Sequence, residues 1–173
     1  ILNYLSDDGQ SVEPIYYVPI IPMVLINGAK GIGTGFSTDI MSYNPLQIIN
    51  RMELMLKKDN NYKLISIDPY YQGFTGNIEK LDNGKKYLIS GIYEIINDNK
   101  IKITELPIGT WTQDYKEFLE TLVDSKKKDS IVKDFNDNST DIIVNFIIEF
   151  KPGTLKELLD KKFEHGMNGI HKF

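Results

Sequence analysis

Apolar and polar positions along the chain change their period several times, and each change marks an element. Asp7-Asp8-Gly9 reads as a turn. The apolar run Ile15 to Ile26, studded with Pro14, Pro19 and Pro22 at its edge and inside it, reads as extended chain in which the prolines exclude a helix. Glycine then occurs four times in eight residues, at Gly28, Gly31, Gly33 and Gly35, which predicts a tight, backbone-exposing connection. Asn44-Pro45 is a helix start, and Leu46, Ile49, Met52 or Glu53, and Leu56 follow near helical spacing as far as Lys57-Lys58, predicting a helix over 45–58.

Beyond that helix the pattern shortens to β-prone runs at Leu64–Ile67, Tyr87–Ile96 and Lys100–Leu106, with Asn97-Asp98-Asn99 as a hairpin turn. Thr110 and Gln113 form a capping-box pattern, and Trp111, Tyr115, Phe118, Leu119 and Leu122 make one apolar face of a helix ending near Val123. The polar stretch 124–140 carries Lys126-Lys127-Lys128 and reads as a surface connection holding a short strand or turn at Ser130–Phe135. Asp141–Phe150 reads as a strand. Thr154 and Glu157 form a second capping box, ahead of a helix presenting Leu155, Leu158, Leu159 and Phe163. The class this predicts is α+β, mainly antiparallel sheet with three or so amphipathic helices, since the hairpin at Asn97 disfavours a parallel doubly wound sheet.

Composition narrows the chemistry. A chain of 173 residues, 41% hydrophobic and 25% charged, has the make-up of one globular domain. Without cysteine there is no disulfide framework, no thiolate nucleophile and no cysteine-ligated zinc, and His165 and His171 are too few for a histidine-rich metal site. The longest apolar stretch, Val18–Ile26, contains two prolines and falls short of the ~20 residues that span a bilayer, so no membrane role is expected. A net charge of −4, with Arg51 the single arginine, opposes non-specific attraction to nucleic acid. The chain starts at Ile1 without methionine and stops at Phe173 among apolar residues, which reads as a segment of something longer.

The glycine-rich segment invites a phosphate-loop reading, and its spacing refuses it. A P-loop needs Gly-Lys-Ser/Thr entering a helix, whereas Lys30 is followed by Gly31 and Ile32; a dinucleotide loop needs a third glycine where Phe36 stands. A glycine-rich turn between two strands with no ligand is the plain reading. Against it stands Ile32, a β-branched apolar residue flanked by glycines on both sides, which the backbone holds out rather than buries and which therefore needs a partner surface.

Several blocks have a longer precedent. Val12-Glu13-Pro14, Pro19 through Ala29, Gly31-Ile32-Gly33-Thr34-Gly35 and Tyr43-Asn44-Pro45 resemble type II DNA topoisomerases of the eukaryotic kind. Phe74-Thr75-Gly76, Ile103-Thr104-Glu105-Leu106-Pro107, Thr110-Trp111-Thr112, Tyr115-Lys116-Glu117 and Gly169-Ile170-His171-Lys172 continue the resemblance in order over nearly the whole chain.

The resemblance implies that residues 1–22 are the end of a winged-helix domain and residues 23–173 the tower domain of the DNA cleavage core, truncated at its C-terminal side. It implies a DNA gate that binds double-stranded DNA, with Ile32 inserted between base pairs to bend the duplex, a use that agrees with apolar wedges that unstack and kink DNA. It places DNA contacts at Trp111 and, beside the wedge, at Gly31 and Gly33, while Lys30 adds a cation next to the wedge that would help hold a phosphate. Without it, Trp111 is a helix-start residue that anchors the core and Lys30 a solvated loop lysine. The family often has arginine where Gly109 stands, and an acidic residue where Lys30 stands.

The same resemblance implies a full-length parent that is an ATP-dependent, Mg2+-requiring homodimer acting in the nucleus or another DNA-containing compartment. Its Arg-Tyr nucleophile, its metal-binding Asp-x-Asp and its ATPase module match no residues here, so no catalytic residue, no metal ligand and no bound cofactor are expected within the 173 residues. None of the ten tyrosines follows an arginine, and Tyr16-Tyr17 reads as structural. The carboxylates Asp7-Asp8 and Asp134-Asp137 occupy turn-rich sequence with nothing to raise their pKa. A non-enzymatic architectural DNA-binding protein with the same wedge loop is the alternative.

Overall fold

The computed structural model describes residues 2–81, 86–123, 130–163 and 167–172. It divides into two compact units, residues 1–72 and 73–173.

The first unit opens with a hairpin of β1 (Tyr4–Asp7) and β2 (Gln10–Pro14). Its two central residues, Asp8 and Gly9, have φ of 46° and 77°, the conformation that a two-residue turn matched to strand twist requires. The proline-rich stretch is extended only in part. A short helix α1 (Met23–Asn27) follows Pro22, which stands at its N-cap. Proline is tolerated there because the first turn of a helix has no intrahelical partner for its N–H groups, so prolines at 19 and 22 exclude a helix across themselves but not after them.

Next come β3 (Ala29–Gly33) and β4 (Phe36–Ile40), an antiparallel pair, and then α2 (Pro45–Leu56). The predicted helix over 45–58 is present in this shorter form. Asn44 caps it by accepting from the Leu46 N–H at 2.9 Å, and Pro45 stands where its missing N–H costs nothing. The strand expected at Leu64–Ile67 is absent. A 3₁₀ turn, Asn60–Leu64, ends there instead, started by the Asp59 carboxylate accepting from the Asn61 N–H, so local side-chain capping overrode the β-prone composition.

The second unit carries the main core. A hairpin of β5 (Asn77–Leu81) and β6 (Lys86–Ser90) precedes a sheet formed by β7 (Ile92–Asn97), β8 (Lys100–Glu105), β9 (Val132–Asp137) and β10 (Phe146–Phe150), in the order β7-β8-β10-β9 and antiparallel throughout. The expected turn at Asn97-Asp98-Asn99 joins β7 to β8, with the Asn97 side chain accepting from the Asn99 N–H. The single run read over Tyr87–Ile96 is divided at Gly91, where an added Cβ would stand 2.0 Å from the Glu105 carbonyl oxygen. That approach of backbone to backbone splits the run between two sheets, and composition alone gives no sign of it.

Alternation sets the buried face of the sheet. Ile101 and Ile103 of β8, and Phe146, Ile148 and Phe150 of β10, point inward against Tyr115 and Leu119 of α3 (Thr112–Val123) and Leu155 and Leu158 of α4 (Thr154–Asp160). Each such side chain contributes about 1.5–3 kcal/mol on burial, and the Tyr115 and Phe146 rings meet edge to face at 5.1 Å. A 3₁₀ turn, Gly169–Lys172, closes the unit with Ile170 in the core.

Four further readings change. The Gln113 amide donates to Glu117 at 3.0 Å instead of completing a capping box with Thr110. Gly153, at φ 82°, is the N-cap of α4 and no side chain caps it, so Thr154 is its first helical residue. The strand expected over 141–150 begins only at Phe146; the Thr140 hydroxyl accepts from the Ile142 and Ile143 N–H groups and holds the preceding residues in a loop. The strand proposed within 130–135 runs from Val132 to Asp137. Residues 124–129, with the three lysines, lie outside the described residues, as does His165.

Candidate nucleic-acid interface

The glycine-rich segment is a two-stranded hairpin whose shape follows from two glycines. Gly28, at φ 69°, begins it, and an added Cβ there would stand 2.6 Å from the Ile40 carbonyl oxygen, so only glycine lets the two strand bases close. The base is tied further by the Tyr43 N–H donating to the Leu25 carbonyl and the Tyr70 N–H donating to the Ser42 carbonyl, each at 2.8 Å. At the other end Gly35, at φ 80°, supplies the left-handed residue of the Thr34-Gly35 turn.

Register decides which side chains share a face. Ile32 stands opposite Ser37 and Lys30 opposite Asp39, so these four occupy one face; Gly33 opposite Phe36 and Gly31 opposite Thr38 occupy the other. Ile32 is 92% exposed and Phe36 85%. The same-face neighbours of Ile32 are the small Ser37 across the pair and Lys30 two residues back, and neither covers it. Neither Gly31 nor Gly33 has a positive φ, and an added Cβ would meet nothing closer than 3.9 Å, so the fold itself does not demand glycine at these two places.

The hairpin thus brings together Lys30, Gly31, Ile32 and Gly33. Trp111 lies in the second unit, immediately before α3, where its carbonyl accepts from the Tyr115 N–H at 3.0 Å. Its side chain is 74% exposed, so it is not the core anchor that a helix-face reading makes of it; Tyr115 and Leu119 fill that role. Gly109, at φ 90°, bends the chain into the Thr110 N–H to Pro107 carbonyl bond just ahead of it. Sequence reading passes over Phe36 and Asp39 as members of the site. The signal for Phe36 is its place directly after the turn, facing a glycine.

The remaining titratable groups serve the fold. Among the described residues no three His, Cys, Asp or Glu side chains converge as a metal site. His171 is held by the Asn168 side chain at 2.9 Å and stacks edgewise on Tyr93. Burial raises the Tyr115 hydroxyl, and burial followed by the charges of Asp39 and Tyr43 raises that of Tyr71, both away from a phenolate nucleophile. Asp134 and Asp137 lie on β9 and not in a turn. Burial works to raise Asp137, but hydrogen bonds from Ser139 and the ion pair with Lys116 at 3.5 Å outweigh it and leave it lowered. No helix is long and apolar enough to cross a membrane among the described residues.

The architecture matches part of a topoisomerase II cleavage domain. The solved Plasmodium falciparum topoisomerase II DNA-binding, cleavage and re-ligation domain superposes on 99% of this chain and 22% of its own with a TM-score of 0.78 and 41% identity. The family model for the A subunit of DNA gyrase/topoisomerase IV matches residues 1–168, and the chain belongs to that family. It is 45% identical to DNA topoisomerase 2 of Pisum sativum over 170 residues, 95% of this chain, and 42% identical to DNA topoisomerase 2 of Drosophila melanogaster over 160 residues, 91% of it. The chain spans 11% of the length of each of these two relatives.

Proposed function

We propose that this chain is part of the DNA gate of an ATP-dependent type II topoisomerase, and that it binds and bends the gate duplex by inserting Ile32 between base pairs. The observation that carries the proposal is an isoleucine 92% exposed on a glycine-framed hairpin, with only the small Ser37 across from it. Burial of one isoleucine contributes about 1.5–3 kcal/mol. Unstacking costs a few kcal/mol per step, and bending a site of this size costs about 1–6 kcal/mol. The wedge therefore sets where the duplex kinks, while phosphate contacts hold it bent. Lys30 supplies a cation beside the wedge, Gly31 and Gly33 let backbone approach the duplex, and exposed Trp111 offers an apolar body with one N–H donor.

In this reading residues 1–22 close the winged-helix domain and residues 23–173 belong to the tower. The parent enzyme is a homodimer that passes one duplex through a transient break in another, with Mg2+ and ATP acting through other parts of it, in the nucleus or another DNA-containing compartment. The chain's own contribution is positional, with no covalent step assigned to its residues.

The test uses the full-length protein. With donor and acceptor dyes on the two ends of a duplex, Ile32→Ala loses energy transfer, hence bending, while affinity falls less. An unchanged bend removes the wedge from the mechanism. Supercoil relaxation and decatenation by the same protein separate the enzyme from an architectural DNA-binding protein, which bends DNA without passing strands.

A further inference from the structure

We infer that Phe36 is a second DNA-contacting residue of the hairpin, stacking on a base or packing on a deoxyribose at the step that Ile32 opens. The inference rests on the wedge reading of Ile32 and extends it from one residue to the direction in which the hairpin enters.

Two approaches to a duplex are available to the hairpin. In a broadside approach, the face carrying Ile32 lies flat on DNA, and Asp39, exposed on that same face opposite Lys30, is pressed toward phosphates. That approach sets a carboxylate against like charge and offsets the Lys30 cation across from it. A tip-first approach leaves the Lys30–Asp39 pair behind, two residues or roughly 7 Å further from the turn than Ile32.

Tip-first entry has a geometric consequence. The pair Gly33–Phe36 closes the turn and lies one residue, about 3.4 Å, nearer the tip than the pair Ile32–Ser37. Any entry deep enough to seat Ile32 among bases carries Phe36 in with it. The ring is 85% exposed, its cross-strand neighbour is a glycine that cannot cover it, and the next pair on its face is Gly31–Thr38, with Ala29 and Ile40 further back at the base of the hairpin. An aromatic ring on a bare backbone platform fits a base face or an apolar sugar edge, and stacking of this kind is tolerant of sequence.

The experiment is duplex binding by the full-length protein, with 2-aminopurine placed at the kinked step and the bend read in parallel by energy transfer. Phe36→Ala weakens binding by roughly five- to hundredfold, the range that loss of one base–aromatic stack gives, and leaves 2-aminopurine brighter because the unstacked base has lost its cover. Phe36→Leu restores bulk without the ring and recovers only part of both signals. If Phe36→Ala matches wild type in affinity and emission while Ile32→Ala has lost the bend, the inference fails and the wedge reading stands. If Ile32→Ala also bends DNA normally, both fail together.

Discussion

The carboxylate of Glu105 holds Thr75 from thirty residues further along the chain, accepting from its backbone N–H at 3.1 Å and from its hydroxyl at 2.7 Å. Glu105 ends β8, and Thr75 lies just ahead of β5. Two short motifs that are far apart in sequence are therefore one joint. The neighbouring Gly76 makes room for it, since an added Cβ there would stand 2.3 Å from the Ser90 carbonyl oxygen.

Removing that joint lowers stability without touching the core. Glu105→Ala costs about 1 kcal/mol, the lower end expected for hydrogen bonds to a charged acceptor because both are solvent-exposed. Thr75→Val, which leaves the N–H bond in place, costs less. Urea unfolding followed by far-UV circular dichroism orders the two, and equal midpoints for wild type and Glu105→Ala would contradict the assignment.

Trp111, just before α3, and Leu119 within it separate a proposed DNA contact from the core. Leu119 is fully buried, and Leu119→Ala is expected to cost about 2–5 kcal/mol. Trp111→Ala, at an exposed position, stays within about 0.5 kcal/mol of wild type and weakens duplex binding by the full-length protein. A large drop in stability from Trp111→Ala would return the indole to a structural role.

Glu149, like Asp137, should contribute to acid sensitivity. Hydrogen bonds from Lys133 and then from Lys100, at 3.0 Å, hold its carboxyl below the usual range. A carboxyl lowered in the folded state stabilises fully above its unfolded pKa of about 4.3 and loses that contribution as pH falls through the folded value. Stability therefore declines below about pH 4, and Glu149→Gln removes that part of the decline. Parallel acid titrations of the two proteins, with coincident slopes, would count against it.

Gly28→Ala tests the base of the hairpin. Both the positive φ and the 2.6 Å approach to Ile40 resist a Cβ, so the substitution costs more than about 1 kcal/mol. It also shifts the hairpin, and the bend measured by energy transfer falls although Ile32 is intact. A normal bend angle would show that the tip is positioned independently of its base.

Legibility of the chain depended on whether an element's cause was local. The helix at Pro45 was readable because Asn44 caps it and Pro45 starts it, both within three residues. β8 was readable because Ile101 and Ile103 alternate with polar neighbours against a buried face. The division at Gly91 was not, since its cause is the Glu105 carbonyl fourteen residues on; the 3₁₀ turn at Asn60–Leu64 is the exception, a local cap by Asp59 masked by β-prone composition. At the site, Ile32 stood out because glycines frame it in sequence. Phe36 did not, because its exposure follows from a cross-strand partner that only register reveals.

The two units differ in how much they bury. In residues 1–72 only Pro14, Ile48 and Pro69 are fully enclosed among the described residues, whereas the cluster from Ile101 to Ile170 seals the second unit. Backbone amides of the hairpin should accordingly exchange with deuterium through small local openings, and those of β8 and β10 only through global unfolding. The element proposed to force DNA apart thus belongs to the softer half of the chain. If it is to hold a wedge against DNA, its rigidity must come from what it rests on, which makes the proposed bending conditional on assembly.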